Sequence, residues 1–108
     1  MKFAVHISRR AERDIREVSN WIAKHSRQGA IRWLDALEKV VDRLADDAEN
    51  YALADESRNL PYPVREITFR TPKGKRYRAI FVLEGNRVDV LCVRSPGQPP
   101  VTAADFDE

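Results

Sequence analysis

The sequence contains only one cysteine, Cys92, in 108 residues. A single cysteine excludes an internal disulfide and any metal site built from several thiolates. No apolar run approaches the roughly 20 residues that a membrane-spanning helix needs. The first ten residues also lack the apolar stretch, followed by small residues, that marks a secretory signal peptide. We therefore expect a cytoplasmic protein that uses no membrane, no metal and no cofactor.

Length and composition favour one globular domain. We assign it to residues 1–108, with an acidic, proline-rich tail at 95–108. Apolar residues make up 43% of the chain and charged residues 33%, which is typical of a folded protein and not of a disordered one. A chain of this length buries about two thirds of its unfolded surface, which is enough for one core.

Charge is distributed unevenly along the chain. Residues 58–94 carry nine basic and three acidic side chains, whereas the tail carries Asp105, Asp107 and Glu108. A localised basic block is typical of proteins that bind a polyanion such as nucleic acid. A solvated surface that aids solubility explains the same block equally well.

Hydrophobic periodicity predicts a short strand followed by two helices. Residues 3–7 alternate between apolar and polar, and Ser8 is suited to cap a helix that begins at Arg9. Apolar residues then recur at helical spacing on both sides of the segment KHSRQG, residues 24–29, which interrupts the pattern. We therefore expect an antiparallel helical hairpin over about residues 9–48.

Three more strands follow a long polar connection at residues 46–63. Alternating or strongly apolar runs predict strands at 64–70, 76–83 and 87–94, and the last two are joined by a tight turn that contains Gly85. The order β-α-α-β-β-β indicates an α+β fold, in which the helical hairpin packs on one face of a largely antiparallel four-stranded sheet. We expect the other face to be open to water or to a partner.

Two arginines stand next to core-type residues in the last two strands. Arg78 lies near the start of one strand and Arg94 at the end of its neighbour, so antiparallel pairing brings both to the same end of the sheet. Adjacent guanidinium groups repel, and burying one unpaired costs several kcal/mol. Two explanations remain open: an internal carboxylate from Glu66, Asp89 or the tail, or a bound phosphate or carboxylate.

A resemblance to a known family is carried by the hairpin RYRAIFVLEGNRVDVLCVR, the preceding strand VREITFRTPKG and the early helix ISRRAERDIREV. Together with the order of elements, these segments resemble the RelE/ParE toxin superfamily, the toxin halves of bacterial type II toxin–antitoxin modules that include plasmid-stabilisation systems. The resemblance covers residues 3–98. It implies a partner, a small antitoxin that is acidic overall or in its toxin-binding segment.

Members of this superfamily differ in their targets. RelE-like toxins cut mRNA on the ribosome, whereas ParE-like toxins poison DNA gyrase and are not hydrolases. The RelE-like alternative would make Arg78, Arg94 and Arg65 the catalytic candidates, because they match positions where such toxins carry basic residues. Those toxins usually also carry a Tyr or His shortly after the last strand, and residues 95–100 contain no titratable group.

The long helical hairpin also resembles ParE-like toxins more than compact ribosome-dependent ones. We therefore favour a gyrase inhibitor, with an mRNA interferase and an inactive or retargeted protein- or nucleic-acid-binding module as alternatives.

Basic side chains near the strand ends are the candidates for binding the target or a polyanion. They are Arg70, Lys73, Lys75, Arg76, Arg78 and Arg94. Trp21 and Trp33 lie in helical apolar stripes, so core packing is the favoured role for both. In the alternative interpretation one of them is exposed and anchors the antitoxin.

Overall fold

The architecture follows the predicted order in a computed structural model that describes residues 2–103. Its elements are β1 (Ala4–Ile7), α1 (Arg9–Ala23), α2 (Arg27–Asp47), β2 (Arg65–Phe69), β3 (Tyr77–Glu84) and β4 (Arg87–Arg94). Two short 3₁₀ helices, Ala48–Asn50 and Asp55–Asn59, lie between α2 and β2. The acidic residues Asp105, Asp107 and Glu108 lie outside the described residues.

The four strands form one mixed sheet in the order β1-β4-β3-β2. Strands β2, β3 and β4 pair antiparallel as predicted, whereas β1 pairs parallel with β4. A parallel pairing requires a long crossover connection, and here the connection begins with the two helices. No helix among residues 2–103 is both long enough and apolar enough to cross a membrane.

Serine side chains fix the start of both helices. The Ser8 hydroxyl oxygen accepts a hydrogen bond from the backbone N–H of Ala11 at 3.0 Å, which confirms the predicted start of α1 at Arg9. In the same way Ser26 accepts from the N–H of Gly29 at 2.9 Å. Gly29 therefore lies in the first turn of α2, and the expectation that the link between the helices extends through it was wrong.

The main core lies between the helical hairpin and the sheet. Trp33 of α2 is 2% exposed, and its ring packs on Phe69 and Tyr77 with centroid distances of 5.6 and 5.4 Å. Other buried members come from both helices, from β2, β3 and β4, and from the residue just before β1: Phe3, Ala11, Val40, Leu44, Ile67, Ala79, Phe81, Val88, Val90 and Val93. The apolar stripes of the two helices thus pack on one face of the sheet, as predicted.

A second core covers the opposite face, which we expected to be open. Ile80 of β3 and Cys92 of β4 are fully buried there beneath residues of the connection and of the tail. The covering side chains are Ala54, Leu60, Val64 and Val101. Because β3 and β4 are apolar on both faces, each face needs a cover. The long connection and the tail supply the second one.

Candidate functional site

A β-bulge places Arg78 directly opposite Arg94. The turn pairs Glu84 with Arg87, with Gly85 at φ +59°, and the register continues regularly to Phe81 and Val90. The next pair is Ile80 with Cys92, so Leu91 is the extra residue of β4. Without this extra residue Arg78 would face Val93. The bulge therefore creates the arginine pair, and it also moves Arg94 onto the face that Arg78 occupies.

Two carboxylates of the same chain neutralise Arg78. Its two terminal nitrogens donate to the two oxygens of Glu56 at 3.0 and 2.7 Å, and Nη1 also lies 3.3 Å from Glu66 Oε2. The Glu56 side chain is completely buried, and the Arg78 side chain is 25% exposed. Arg78 therefore has internal carboxylate partners, which is the first of the two explanations left open by the sequence. Glu66 was an expected partner, and Glu56 is an additional one.

The protonation of this pair follows from its hydrogen bonds. Burial by itself raises the pKa of Glu56, but the hydrogen bonds from Arg78 and from the backbone N–H groups of Glu56 and Val101 outweigh it, and the pKa lies below its usual value of 4.5. The hydrogen bonds to Glu56 also raise the pKa of Arg78. Both groups are therefore charged at neutral pH.

Arg94 is covered by the tail. It is 7% exposed, and its Nη2 donates to the backbone carbonyl of Pro99. Its Nε is buried and has no hydrogen-bond partner among residues 2–103. The next part of the tail is fixed by Val101, whose carbonyl accepts from Asn59 Nδ2 at 3.4 Å and whose side chain is fully buried. Arg94 thus helps to hold the tail over the second core.

The third catalytic candidate, Arg65, lies on the other face of the sheet. It pairs with Phe81, whose side chain belongs to the main core. Its Nη1 donates to the carbonyl of Tyr51 at 2.6 Å. Arg65 therefore anchors the chain just after α2, and the fold does not bring it together with Arg78 and Arg94.

The candidate polyanion-binding residues divide among three places. Arg70 and Arg76 line a groove of about 720 Å³ beside α2, together with Arg32, Lys39 and Arg43; we call it the basic groove. Lys73 and Lys75 line a different groove, described next, and Arg78 and Arg94 lie on the second face of the sheet. Sequence reasoning missed the three α2 cations, although their spacing of seven and four residues places them on one helix face.

The two tryptophans have different environments. Trp33 is a core residue, as the packing interpretation predicted, whereas Trp21 is 61% exposed. Trp21 lines a groove of about 580 Å³ between the helical hairpin and the strand ends. We call it the tryptophan groove. Its other lining residues include Val18, Ile22, Tyr77, Lys73 and Lys75.

A further polar group fixes this region, and sequence reasoning did not identify it. The carboxylate of Asp14 on α1 accepts from the backbone N–H of Val93 at 2.9 Å and from Arg10 Nε at 3.4 Å. It therefore connects the first helix to the strand that carries Arg94. Nearby, burial raises the pKa of the Cys92 thiol to about 12, so this cysteine is protonated and packs as an apolar residue.

Comparison with known proteins identifies a family. A family model described as the ParE toxin of type II toxin–antitoxin system, parDE, matches residues 5–99. No curated protein matches the sequence. The matched range contains both helices, all four strands and the arginine pair.

Proposed function

Since the chain belongs to the ParE toxin family of type II toxin–antitoxin systems, we propose that it inhibits DNA gyrase by binding it and does not cut RNA. The antitoxin of the same module is its partner. The family resemblance sets the two candidate targets, which are gyrase for ParE-like members and mRNA on the ribosome for RelE-like members. The environment of the arginine pair favours the first.

The observation that carries this proposal is that the arginine pair serves the fold. An arginine that stabilises a pentavalent phosphate must offer its donors to that phosphate. Arg78 gives both terminal nitrogens to Glu56, and Arg94 is buried beneath Pro99. Cleavage would therefore require the connection and the tail to leave the second face of the sheet. Inhibition of gyrase by surface contacts requires no such opening.

The purified toxin should inhibit DNA supercoiling by gyrase and increase the amount of cleaved DNA that gyrase holds. The measurement is a plasmid supercoiling assay, with a parallel assay of mRNA cleavage on programmed ribosomes. Addition of the antitoxin should restore gyrase activity, which serves as the control. Cleaved mRNA with unaffected gyrase would assign the RelE-like function instead. If neither target responds to a toxin that still binds its antitoxin, the chain is a retargeted binding module.

We further propose that the tryptophan groove receives the antitoxin. Trp21 is the most exposed of the large apolar residues at positions 2–103, and its groove offers an apolar wall from Val18, Ile22 and Tyr77. Exposed tryptophans that enter a partner's pocket often dominate the energy of an interface. Lys73 and Lys75 on the same groove complement an acidic segment of the partner. An amphipathic antitoxin segment with acidic flanks fits this surface.

Replacing Trp21 with alanine should weaken antitoxin binding by about 2 kcal/mol, or roughly thirtyfold in Kd, because the apolar anchor is lost. Isothermal titration calorimetry with the purified partner measures this. The matched control is Leu53→Ala, which removes another exposed apolar side chain that does not line the groove. Equal affinities for the Trp21 variant and the unmodified toxin would place the antitoxin elsewhere.

A further inference from the structure

The basic groove combines cations from two separate parts of the chain. Arg32, Lys39 and Arg43 come from α2, and Arg70 and Arg76 come from the segment that joins β2 to β3. All five residues are exposed. Their convergence depends on the packing of α2 against β2, so it is a property of the folded protein and is not apparent from the basic block at residues 58–94 alone.

These five cations are not neutralised within the part of the chain that the structure describes. None of them makes a hydrogen bond or an ion pair there, and Asp35 is the one acidic residue in the lining of the groove. By contrast, Arg78 and Arg87 each lie against a carboxylate. The groove is therefore a local positive field on a chain whose net charge is only +2.

The dimensions of the groove suit an extended polyanion. Arg32 and Arg43 are eleven residues apart on α2, which corresponds to about 16 Å along the helix axis. One strand of a nucleic acid duplex carries a phosphate every 3.4 Å or so along its axis, so the groove spans roughly five of them. A single phosphate would use only a part of this row of cations.

Features of the lining favour nucleic acid over a protein partner. Protein interfaces depend on exposed apolar or aromatic anchors. The large exposed apolar residues of the described chain are Trp21, Ile31, Leu34, Leu53 and Tyr62, and none of them lines the basic groove. The apolar side chains that do line it include Val40 and Phe69, and both are buried. The groove thus offers positive charge but no large exposed apolar side chain to anchor a protein partner.

The same lining favours a duplex over a single strand. Proteins bind single-stranded DNA or RNA by stacking bases on exposed aromatic side chains. The aromatic residue of this groove, Phe69, is buried and packs on Trp33. Contacts in the groove are therefore restricted to phosphates, which a duplex presents on its outside.

We propose that the basic groove binds the phosphate backbone of double-stranded DNA without reading its sequence. The inference goes beyond the identity of the toxin's target, because the free toxin binds DNA in this way whether it acts on gyrase or on the ribosome. Its test needs neither of those targets, so its failure is distinct from failure of the gyrase proposal.

The test is a fluorescence anisotropy titration of a labelled 20-base-pair DNA duplex with the full chain, freed of antitoxin, at several KCl concentrations. With about four phosphates neutralised, affinity should fall roughly a hundredfold between 50 and 200 mM salt. The triple variant Arg32→Gln, Lys39→Gln, Arg43→Gln should bind more than about tenfold more weakly at 50 mM salt. It should also reduce the slope of log K against log salt by about 3.

The matched control carries Arg9→Gln, Arg16→Gln and Lys24→Gln, which remove the same charge from exposed positions of α1 and the residue after it. This control should keep most of the affinity for DNA and nearly the full slope of log K against log salt. Equal losses in both triple variants, or no DNA binding at 50 mM salt, would overturn the proposal. Tighter binding of a single-stranded RNA, or equally strong competition by polyglutamate, would overturn it as well. Coinciding thermal melts of the unmodified protein and the two triple variants would exclude unfolding as the cause of weaker DNA binding.

Discussion

Replacing Glu56 with glutamine should lower the free energy of unfolding at pH 7 by about 3 kcal/mol. The carboxylate is fully buried and accepts from both terminal nitrogens of Arg78. An amide keeps one acceptor and turns its own N–H donors towards the guanidinium. Arg78 would then keep one neutral acceptor at position 56, and its remaining carboxylate contact would be the one with Glu66 at 3.3 Å. Urea unfolding followed by tryptophan fluorescence measures the loss.

The same residue should make stability depend on pH in the acidic range. Because the pKa of Glu56 is below 4.5 in the folded protein, the unfolded chain binds more protons in the interval between the two pKa values. The contribution of Glu56 is therefore complete above about pH 5 and is lost as the pH falls through the folded pKa. The difference in stability between the unmodified protein and Glu56→Gln should shrink as the pH falls below about 5.

Two further variants test whether the loss of stability comes from the ion pair between Glu56 and Arg78. Glu84→Gln changes an exposed glutamate at the end of β3 and should stay within about 0.5 kcal/mol of the unmodified protein. The double variant Glu56→Met, Arg78→Met replaces the buried pair with apolar side chains and should recover most of the stability that Glu56→Gln loses. A Glu56→Gln protein as stable as the Glu84→Gln control would show that the buried pair contributes little.

The double variant also tests the function of Arg78. If Arg78 only stabilises the fold, the Glu56→Met, Arg78→Met protein should still arrest growth when it is expressed without antitoxin. A stable but harmless Met/Met protein would instead show that Arg78 contacts the target. The arginine pair would then have a role in function as well as in the fold, and the RelE-like mechanism would gain support.

The helices and strands were predictable because each has a local cause in the sequence. Ser8 precedes a run with helical spacing, and Gly85 stands in a two-residue turn between apolar strands. Helical spacing also placed Trp33 in a buried stripe. These features depend on neighbours along the chain, so a single sequence contains the information.

The arrangement of the candidate site depends on contacts between distant residues and was not predictable in the same way. The bulge at Leu91 lies inside an apolar run, where a shift of one residue leaves apolar side chains on both faces and gives no signal. Glu56 stands in a polar connection among other acidic residues, and its burial follows only from the packing of that connection, through Ala54 and Leu60, over the second face of the sheet. A buried arginine does require an anion, but the sequence alone could not say which one.

Replacing Val101 with aspartate should have the largest effect of any single change in the tail. Val101 is fully buried in the second core, and its N–H donates to the carboxylate of Glu56. An aspartate there would bury a second negative charge beside Glu56, whose partner Arg78 already binds two carboxylates. We expect a loss of about 4 kcal/mol, enough to unfold a large share of the molecules of a domain this size at 37 °C.

The control is Ala103→Asp, which adds the same charge two residues later at an exposed position and should leave the unfolding midpoint nearly unchanged. Val101→Ala keeps the backbone hydrogen bond and should cost about 2 kcal/mol, so it reports on the second core even if the aspartate variant fails to fold. If the tail only contacts the target, all three variants would unfold at the same urea concentration and differ in toxicity alone. A stability loss confined to the Val101 variants would instead mean that the tail completes the fold and covers Arg94, so a ribonuclease site at this arginine pair would first have to break a part of the core.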